Sequence, residues 1–185
     1  VYEAVEWALL EAGDRSLPIF LLGESFGGIV VLMAAMQSTY QKINLKGVIG
    51  LGTLIRVSED MVPPNFIIRI LIFLSQYYPR FKMPAADFES TFDEAFGNKE
   101  WATVARRDSK VCISPQFTLG ASAALLSCGE SLLEQASDFP VPVLAIHGER
   151  DCRTQRSATQ EFIDKVGPGI AEMMVIDTSG HQMLQ

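Results

Sequence analysis

Hydrophobic positions along the chain form two alternating patterns, short continuous apolar runs and longer runs with helical spacing. The continuous runs predict four buried strands, at residues 18–22, 47–52, 140–146 and 172–176. The helical spacing predicts helices at residues 2–12, 26–37 and 154–166. Because strands that alternate with helices form a mostly parallel sheet with helices on both faces, the pattern predicts an α/β fold.

Residues 55–125 break this alternation, because they contain several helical pieces and lack a good core strand. We interpret this segment as a helical cap over the active site. The cap is inserted into a core that residues 1–54 and 126–185 form together.

The most apolar piece of the predicted cap spans residues 66–74 and follows Pro63 and Pro64. It is apolar nearly all round, so one face of this helix is expected to pack on the core while another covers a pocket. A helix buried within the core is the alternative. A second helical piece is expected after Ser114 and Pro115, a favourable pair for an N-cap and a first turn.

The turn between the first predicted strand and the next helix carries a Gly-x-Ser-x-Gly motif with Ser25 at its centre. A strand, this motif and an apolar helix in succession are typical of the nucleophile elbow of an α/β-hydrolase. The turn is tight, so Gly23 and Gly27 are expected to be needed for their lack of bulk. The backbone N–H of Phe26 is expected to donate to an oxyanion. Glu24 is expected to have a structural or hydrogen-bonding role.

A serine hydroxyl needs a base to remove its proton, and the base needs an acid to orient it. Of the two histidines, His181 follows the last predicted strand on a loop, where the fold presents its base, whereas His147 ends a strand and is expected to be structural. Asp151 follows that strand, so the order Ser25, Asp151, His181 is the order that the fold requires. Asp177 is the alternative acid and is otherwise expected to end its strand.

Charge, cysteine content and hydropathy limit the kinds of partner and the location expected for the chain. The net charge of −7 argues against nucleic acid as a partner. The three cysteines lack Cys-x-x-Cys spacing, which disfavours a disulfide framework or a zinc site and favours a reducing compartment. No sequence run reaches the roughly 18 apolar residues that a membrane span needs. We therefore predict a cytoplasmic or peripheral membrane location.

The charge is unevenly distributed along the chain. Residues 55–125 contain eight basic and eight acidic residues, whereas the remainder contains seven basic and fourteen acidic residues. A neutral, apolar-rich cap on an acidic body suits approach to lipid, and an ordinary solvated surface is the alternative. Phe66, Ile70 and Phe73 are the cap residues that we expect to contribute to substrate access and to a peripheral membrane contact.

Three blocks of sequence carry a family resemblance: PIFLLGESFGG at residues 18–28, RVSEDMVPP at 56–64 and PVLAIHGERD at 142–151. In this order they resemble monoacylglycerol lipase-type serine hydrolases, a group also labelled lysophospholipase-like or serine-aminopeptidase-like. The resemblance covers essentially the whole chain. It implies a cap that binds membranes and admits an acyl chain, with a catalytic triad of Ser25, Asp151 and His181.

The chain departs from the pattern of this family in two places. Cys152 and Arg153 follow the acid where the family usually has small or apolar residues, which leaves the choice of substrate open. Cys152 is expected to be a small core residue, with a place in the lining of the site as the alternative. The N-terminal His-Gly segment that supplies the second oxyanion donor is outside this chain. Because the chain begins at Val1 and ends at Gln185, four residues after its last histidine, we expect an N-terminally truncated fragment of a longer protein.

These observations predict a serine hydrolase that cleaves carboxylic esters. Monoacylglycerol or a related long-chain ester is the expected substrate, since the cap is rich in Phe, Ile and Leu. No metal or cofactor is expected. The alternatives are an acyltransferase of the same fold, a peptidase, and a non-catalytic binding module that retains the fold.

Overall fold

A parallel sheet of four strands forms the centre of the protein in the computed structural model, which describes residues 1–37, 43–84, 92–96, 98–108 and 116–184. The strands are β1 (Ile19–Glu24), β2 (Leu45–Leu51), β3 (Val143–Gly148) and β4 (Ala171–Ile176). Their order in the sheet is their order in the chain, and each neighbouring pair is parallel. The predicted α/β architecture and its four strands are therefore confirmed. The third strand begins only at Val143, since Pro140 and Pro142 have no N–H to donate to a neighbouring strand.

Seven α-helices are found in the described chain. They are α1 (Tyr2–Ala12), α2 (Phe26–Ala35), α3 (Asn65–Ser75), α4 (Phe92–Ala95), α5 (Lys99–Arg107), α6 (Leu119–Glu134) and α7 (Arg156–Val166). Polar caps and a glycine set several of their ends. The Asn98 side chain accepts a hydrogen bond from the Glu100 N–H at the start of α5, and Gly13 ends α1 in the left-handed conformation.

The two faces of the sheet differ in burial. In one row across the strands Leu21, Val48, Val143 and Ala171 are all buried. In the next row, which points to the other face, Leu22 and Glu172 are exposed. Right-handed crossovers between strands in sequential order place successive connecting helices on one face. Consistent with this, α1, α2, α6 and α7 all contribute to one core cluster with the buried row. No helix of the described residues supplies a comparable core on the second face, so in this part of the protein the helices predicted for both faces are found on one face only.

Aromatic and aliphatic side chains from the helices fill this core. Ile29 of α2, Leu132 of α6 and Phe162 of α7 are almost fully buried. Phe162 also packs edge-on against Phe139, with 5.5 Å between ring centroids. The core thus anchors the start of α2 and the loop between β3 and α7, the two segments that carry Ser25 and Asp151.

The helical segment between β2 and β3 packs on the core through α6. Helix α3 lies against α6, and no residue of α3 is buried, so the alternative of a core helix is not what this structure shows. The predicted end of the cap at residue 125 falls within α6, which is one continuous helix. The predicted helix start at Ser114 and Pro115 lies outside the described residues. Helix α6 begins at Leu119, where the Thr118 hydroxyl accepts from the Ala121 N–H at 3.3 Å.

Arg56 fastens the beginning of this segment to the core. Its guanidinium donates to Glu130 on α6 and to Glu161 on α7, each at 2.6 Å. One cation thereby links the chain that leaves β2 to two helices, so the segment begins from a fixed position beside the sheet.

Candidate active site

Ser25 occupies the sharp turn between β1 and α2. It has a φ of 55° and a ψ of −120°. No other non-glycine residue among the described residues has a positive φ. Its backbone is held on both sides, because its N–H donates to the Leu51 carbonyl at 2.8 Å and its carbonyl accepts from Gly28 and Leu54 at 3.0 Å. A strained conformation of this kind persists only where the surroundings enforce it. The turn therefore fixes the position of the Ser25 hydroxyl.

The two glycines of the motif have different roles. A Cβ at Gly23 would overlap the backbone carbonyl of Gly27, so the first glycine is required by close approach. A Cβ at Gly27 would meet no atom within 4 Å. The expectation that both residues must lack bulk is therefore wrong for Gly27. Its backbone leaves no room for a side chain at Gly23, but the space beside its own Cα is open.

Ser25, His181 and Asp151 form a continuous chain of hydrogen bonds. The Nε2 of His181 lies 2.8 Å from the Ser25 Oγ, and its Nδ1 lies 2.9 Å from Oδ2 of Asp151. The His181 residue is 4% exposed and the Asp151 side chain is 1% exposed, so water is largely excluded from both. The three residues proposed from the sequence are thus brought together in the order nucleophile, base and acid.

Both carboxylate oxygens of Asp151 receive hydrogen bonds. Oδ1 accepts from the backbone N–H groups of Arg153 and Thr154 at 2.8 and 3.0 Å. Oδ2 accepts from the Thr154 hydroxyl at 2.7 Å and faces both histidines. Burial alone would raise the pKa of Asp151, but the donors, His147 and His181 foremost, bring the pKa well below its ordinary value. Asp151 is therefore held as an oriented anion.

Asp177 lies exposed in the turn that follows β4, and the carboxylate that contacts the His181 ring is that of Asp151. The geometry thus favours Asp151 over Asp177 as the partner of the histidine.

Cys152 is half-buried beside the acid. It does not line the cavity next to Ser25.

The loop that carries His181 is anchored by residues whose roles the sequence shows only weakly. The Glu24 carboxylate accepts from the Met183 N–H at 2.7 Å and the Leu184 N–H at 3.2 Å, in agreement with the expected hydrogen-bonding role. The Gln182 N–H donates to the Ala95 carbonyl of α4 at 2.7 Å. The loop is thus tied to both the elbow and the inserted segment.

Gly52 is a site residue that sequence reasoning missed. It has a φ of 46°, and a Cβ there would lie 3.1 Å from Asp151 Oδ2 and 3.3 Å from His181 Nδ1. A side chain would intrude on the histidine–carboxylate pair. Its position as the last residue of a predicted buried strand was the only signal available in the sequence.

A cavity of about 930 Å³ opens beside Ser25 and His181. This volume is typical of small-molecule sites. Among the described residues, its polar lining consists of Ser25, Arg153, Thr154, His181 and Gln182. Its apolar lining comes from α2, from the inserted segment and from α6, and includes Phe26, Ile29, Met33, Phe92, Phe117, Leu125 and Cys128. The cavity is therefore shaped for a mainly apolar molecule with one polar group near the hydroxyl of Ser25.

Phe66, Ile70 and Phe73 do not line this cavity. All three are exposed on the outer side of α3. Any effect of these residues on substrate access would therefore be exerted from outside the pocket, because α3 turns its other face toward α6. Their location leaves an outward-facing apolar surface.

Neither a metal cluster nor a spanning helix is found in the described part of the chain. No group of three or more His, Cys, Asp or Glu side chains there is arranged to hold a metal ion. None of the helices among the described residues combines the length and the hydropathy needed to cross a bilayer.

Comparison with known proteins places the chain in a family. A family model described as "Serine aminopeptidase, S33" matches residues 4–185. The chain belongs to this family. The resemblance to monoacylglycerol lipase-type serine hydrolases is confirmed, since this family label is one of those under which that group is known.

One curated relative in this comparison is the "Putative monoglyceride lipase" of the fission yeast Schizosaccharomyces pombe. It is 29% identical over 168 residues, which make up 90% of this chain and 43% of the relative. The chain thus spans less than half the length of that protein.

Two solved structures share the fold of this S33 family member over all of the chain. A soluble variant of the Saccharomyces cerevisiae monoglyceride lipase, solved with a substrate analogue, has a TM-score of 0.80 at 20% identity. The monoacylglycerol lipase of Paleococcus ferrophilus has a TM-score of 0.78 at 16% identity. The chain covers 61% and 66% of these two structures. The α/β-hydrolase fold is thereby shown.

Proposed function

We propose that the protein is a serine hydrolase of carboxylic esters. The observation that carries this proposal is the hydrogen-bonded series of Ser25, His181 and Asp151 at the wall of an apolar cavity. A buried base that contacts a strained serine on one side and an anion on the other is the arrangement that activates a hydroxyl for acyl transfer.

In the proposed reaction the Ser25 Oγ attacks the ester carbonyl carbon while the His181 Nε2 takes its proton. Asp151, held as an anion, stabilises the imidazolium that forms and keeps the ring oriented. The tetrahedral intermediate collapses when the C–O bond to the leaving alcohol breaks and His181 returns the proton to that oxygen. Water then attacks the acyl-enzyme through the same base, which releases the acid and restores Ser25.

The Phe26 N–H is the proposed donor to the developing oxyanion. Phe26 is the first residue of α2, and the first N–H groups of a helix have no partner within the helix. The positive end of the helix dipole adds to the attraction for negative charge at this point. We propose that a second donor comes from a part of the protein outside this chain. Loss of one such donor typically costs about 10²- to 10³-fold in kcat.

A long-chain monoacylglycerol is the substrate that we propose. The cavity surface is predominantly apolar, and each buried methylene of an acyl chain contributes about 0.8 kcal/mol. The names of the S. pombe relative and of both solved structures point to the same class of substrate.

The peptidase alternative has less support in the cavity. The family description contains the word aminopeptidase, and an amine-binding site of that kind needs a carboxylate. Arg153 is the charged side chain among the described residues that line the cavity, and that lining contains no Asp or Glu. An ester of a neutral alcohol suits this lining better than a peptide with a free amino terminus.

Hydrolysis of a long-chain monoacylglycerol by the full-length protein tests the proposal. We expect release of fatty acid and glycerol, and we expect the products to stay the same when a short alcohol is added as a rival acceptor. Formation of a new ester as the main product would instead support an acyltransferase. Absence of both turnover and fluorophosphonate labelling would support a non-catalytic binding module and overturn the proposal.

We further propose that the outer face of α3 and the turn after it contact a membrane surface. The exposed apolar residues on this surface are Phe66, Ile70, Phe73, Leu74, Tyr77, Tyr78 and Phe81. Residues 62–84 contain Arg69, Arg80 and Lys82 and no acidic residue, although the chain as a whole carries a net charge of −7. Apolar side chains with basic neighbours favour a surface that contains anionic lipid.

Replacement of both Ile70 and Phe73 by Ser is expected to weaken this contact. These residues are 53% and 57% exposed, so the change removes apolar surface without opening a core cavity. We expect lower binding to vesicles that contain anionic lipid, and slower turnover of long-chain esters presented in those vesicles. Short soluble esters should be hydrolysed nearly as before. Sedimentation with vesicles and a chain-length series of esters measure the two effects.

A matched control removes exposed apolar surface elsewhere. Trp7 and Leu10 on α1 are 64% and 61% exposed, and their joint replacement by Ser is expected to leave vesicle binding unchanged. If the α3 variant slowed long and short esters equally, or if both variants lost vesicle binding alike, the membrane contact through α3 would be rejected.

A further inference from the structure

His147 is a fully buried histidine that the proposed reaction does not use. It lies near the end of β3 and is 0% exposed. Its Nε2 lies 3.3 Å from Oδ2 of Asp151, the same oxygen that faces His181. Its Nδ1 lies 3.2 Å from the hydroxyl of Thr159 on α7. The ring thus bridges the sheet, the loop that carries the acid, and the helix that follows.

The hydrogen-bond partners decide where the His147 ring carries its proton. Asp151 is an anion and can only accept, so an imidazole nitrogen that bonds to Oδ2 must donate. The hydroxyl of Thr154, which also lies 3.4 Å from Nε2, has one proton and makes its shorter contact, 2.7 Å, with the same carboxylate oxygen. Neither neighbour can therefore be expected to donate to Nε2.

The other ring nitrogen has a partner that suits this arrangement. With the proton on Nε2, a neutral ring can only accept at Nδ1, where the Thr159 hydroxyl supplies a hydrogen. Thr159 is itself buried, at 2% exposure, so its hydroxyl needs a partner. The series of donors therefore runs from Thr159 to His147 and from His147 to Asp151.

We propose that His147 is a positioning residue that donates through Nε2–H to Asp151 and holds Oδ2 in place for His181, an inference that rests on the proposed ester hydrolysis. Two backbone N–H groups fix Oδ1. Among the described residues, the donors to Oδ2 are all side chains, and His147 is the donor with a rigid ring that takes no part in the reaction itself. Without it, a buried anion would lack one donor and the carboxylate would be free to turn away from His181.

Two amide substitutions separate this role from simple filling of space. In His147→Gln the side-chain NH₂ reaches about as far as Nε2 and can donate to Asp151. In His147→Asn the NH₂ reaches only about as far as Nδ1, beside Thr159. We expect His147→Asn to lower kcat for a soluble ester about 10- to 100-fold, the factor that corresponds to the loss of one hydrogen bond to a charged group, with little change in KM. We expect His147→Gln to stay within about fivefold of the wild-type kcat.

The rate of fluorophosphonate labelling of Ser25 and the thermal unfolding midpoint are measured for both variants. Labelling should slow in His147→Asn and recover in His147→Gln, while both variants unfold at similar temperatures. Equal kcat in two folded variants would reduce His147 to a core residue and overturn the proposal. Both His147 variants are compared with an active wild-type protein, so equal kcat in the two variants rejects only the role of His147. An inactive wild-type protein would instead contradict the proposed ester hydrolysis.

The ring nitrogens of the wild-type protein provide a test that does not depend on the folding of any variant. In a long-range ¹H–¹⁵N NMR spectrum of histidine-labelled protein we expect the assigned His147 to carry its proton on Nε2, with Nδ1 unprotonated. A ring protonated only on Nδ1 could not donate to Asp151, and this result would overturn the proposal.

Discussion

Replacement of Ser25 by Ala is expected to abolish ester hydrolysis, with kcat lower by about 10⁶-fold. The change removes the hydroxyl oxygen that lies 2.8 Å from Nε2 of His181 at the cavity wall. Alanine keeps a Cβ on the same strained backbone, so the elbow is expected to retain its shape. Turnover of a soluble p-nitrophenyl ester and labelling by a fluorophosphonate probe measure the loss, and both should fall to background in the full-length protein.

Ser58 provides a control for the labelling experiment. Ser58 lies at the start of the short 3₁₀ turn at Glu59–Met61, near the cavity but outside its lining. Ser58→Ala should be labelled at the wild-type rate. Persistent labelling of Ser25→Ala would place the nucleophile at another residue and reject the proposed mechanism.

Replacement of Asp151 by Asn is expected to lower kcat by about 10⁴-fold. Oδ2 of Asp151 accepts from Nδ1 of His181, and an amide at this place would lose the negative charge and could present an N–H to the same nitrogen. The histidine would then tend to hold its proton on Nε2, where it cannot accept one from Ser25. Steady-state kinetics with a soluble ester measure the effect.

Asp177→Asn is the matched comparison, because it makes the same chemical change on an exposed residue in the turn after β4. We expect a change in kcat of less than about fivefold. If Asp177→Asn were the more damaging substitution, the acid would have been assigned to the wrong residue, and the 2.9 Å contact of Asp151 with His181 would be structural.

Several elements could be predicted because their signals are local. Continuous apolar runs identified all four strands, and helical spacing placed α1 at the residues where it is found, Tyr2–Ala12. The elbow was recognisable because a tight turn between a strand and a helix limits the residues that can precede Ser25. Local patterning was less informative at Gly27, where the backbone and not the missing side chain makes the close contact.

The insertion was predicted in outline and not in detail. The apolar helix α3 was expected within one residue of its observed bounds, Asn65–Ser75. Because the helix is apolar nearly all round, its sequence pattern does not predict which face packs against the rest of the protein. The outward position of Ile70 and Phe73 is set by the packing of α3 on α6, a contact between distant parts of the chain.

By itself, the sequence determined the α/β class, the family, the nucleophile elbow and the candidate order of Ser25, Asp151 and His181, since these depend on short-range patterns and on residue type. Only the tertiary structure decided which carboxylate contacts His181, and that the same carboxylate also contacts His147. Ser25 and His181 are separated by 156 positions, and their 2.8 Å contact exists only because the ends of parallel strands meet at one edge of the sheet. The same convergence places His147 against Asp151, because the strand, the loop and α7 fold back on one another. A distance of this kind depends on how whole elements pack, and no local pattern in the chain records it.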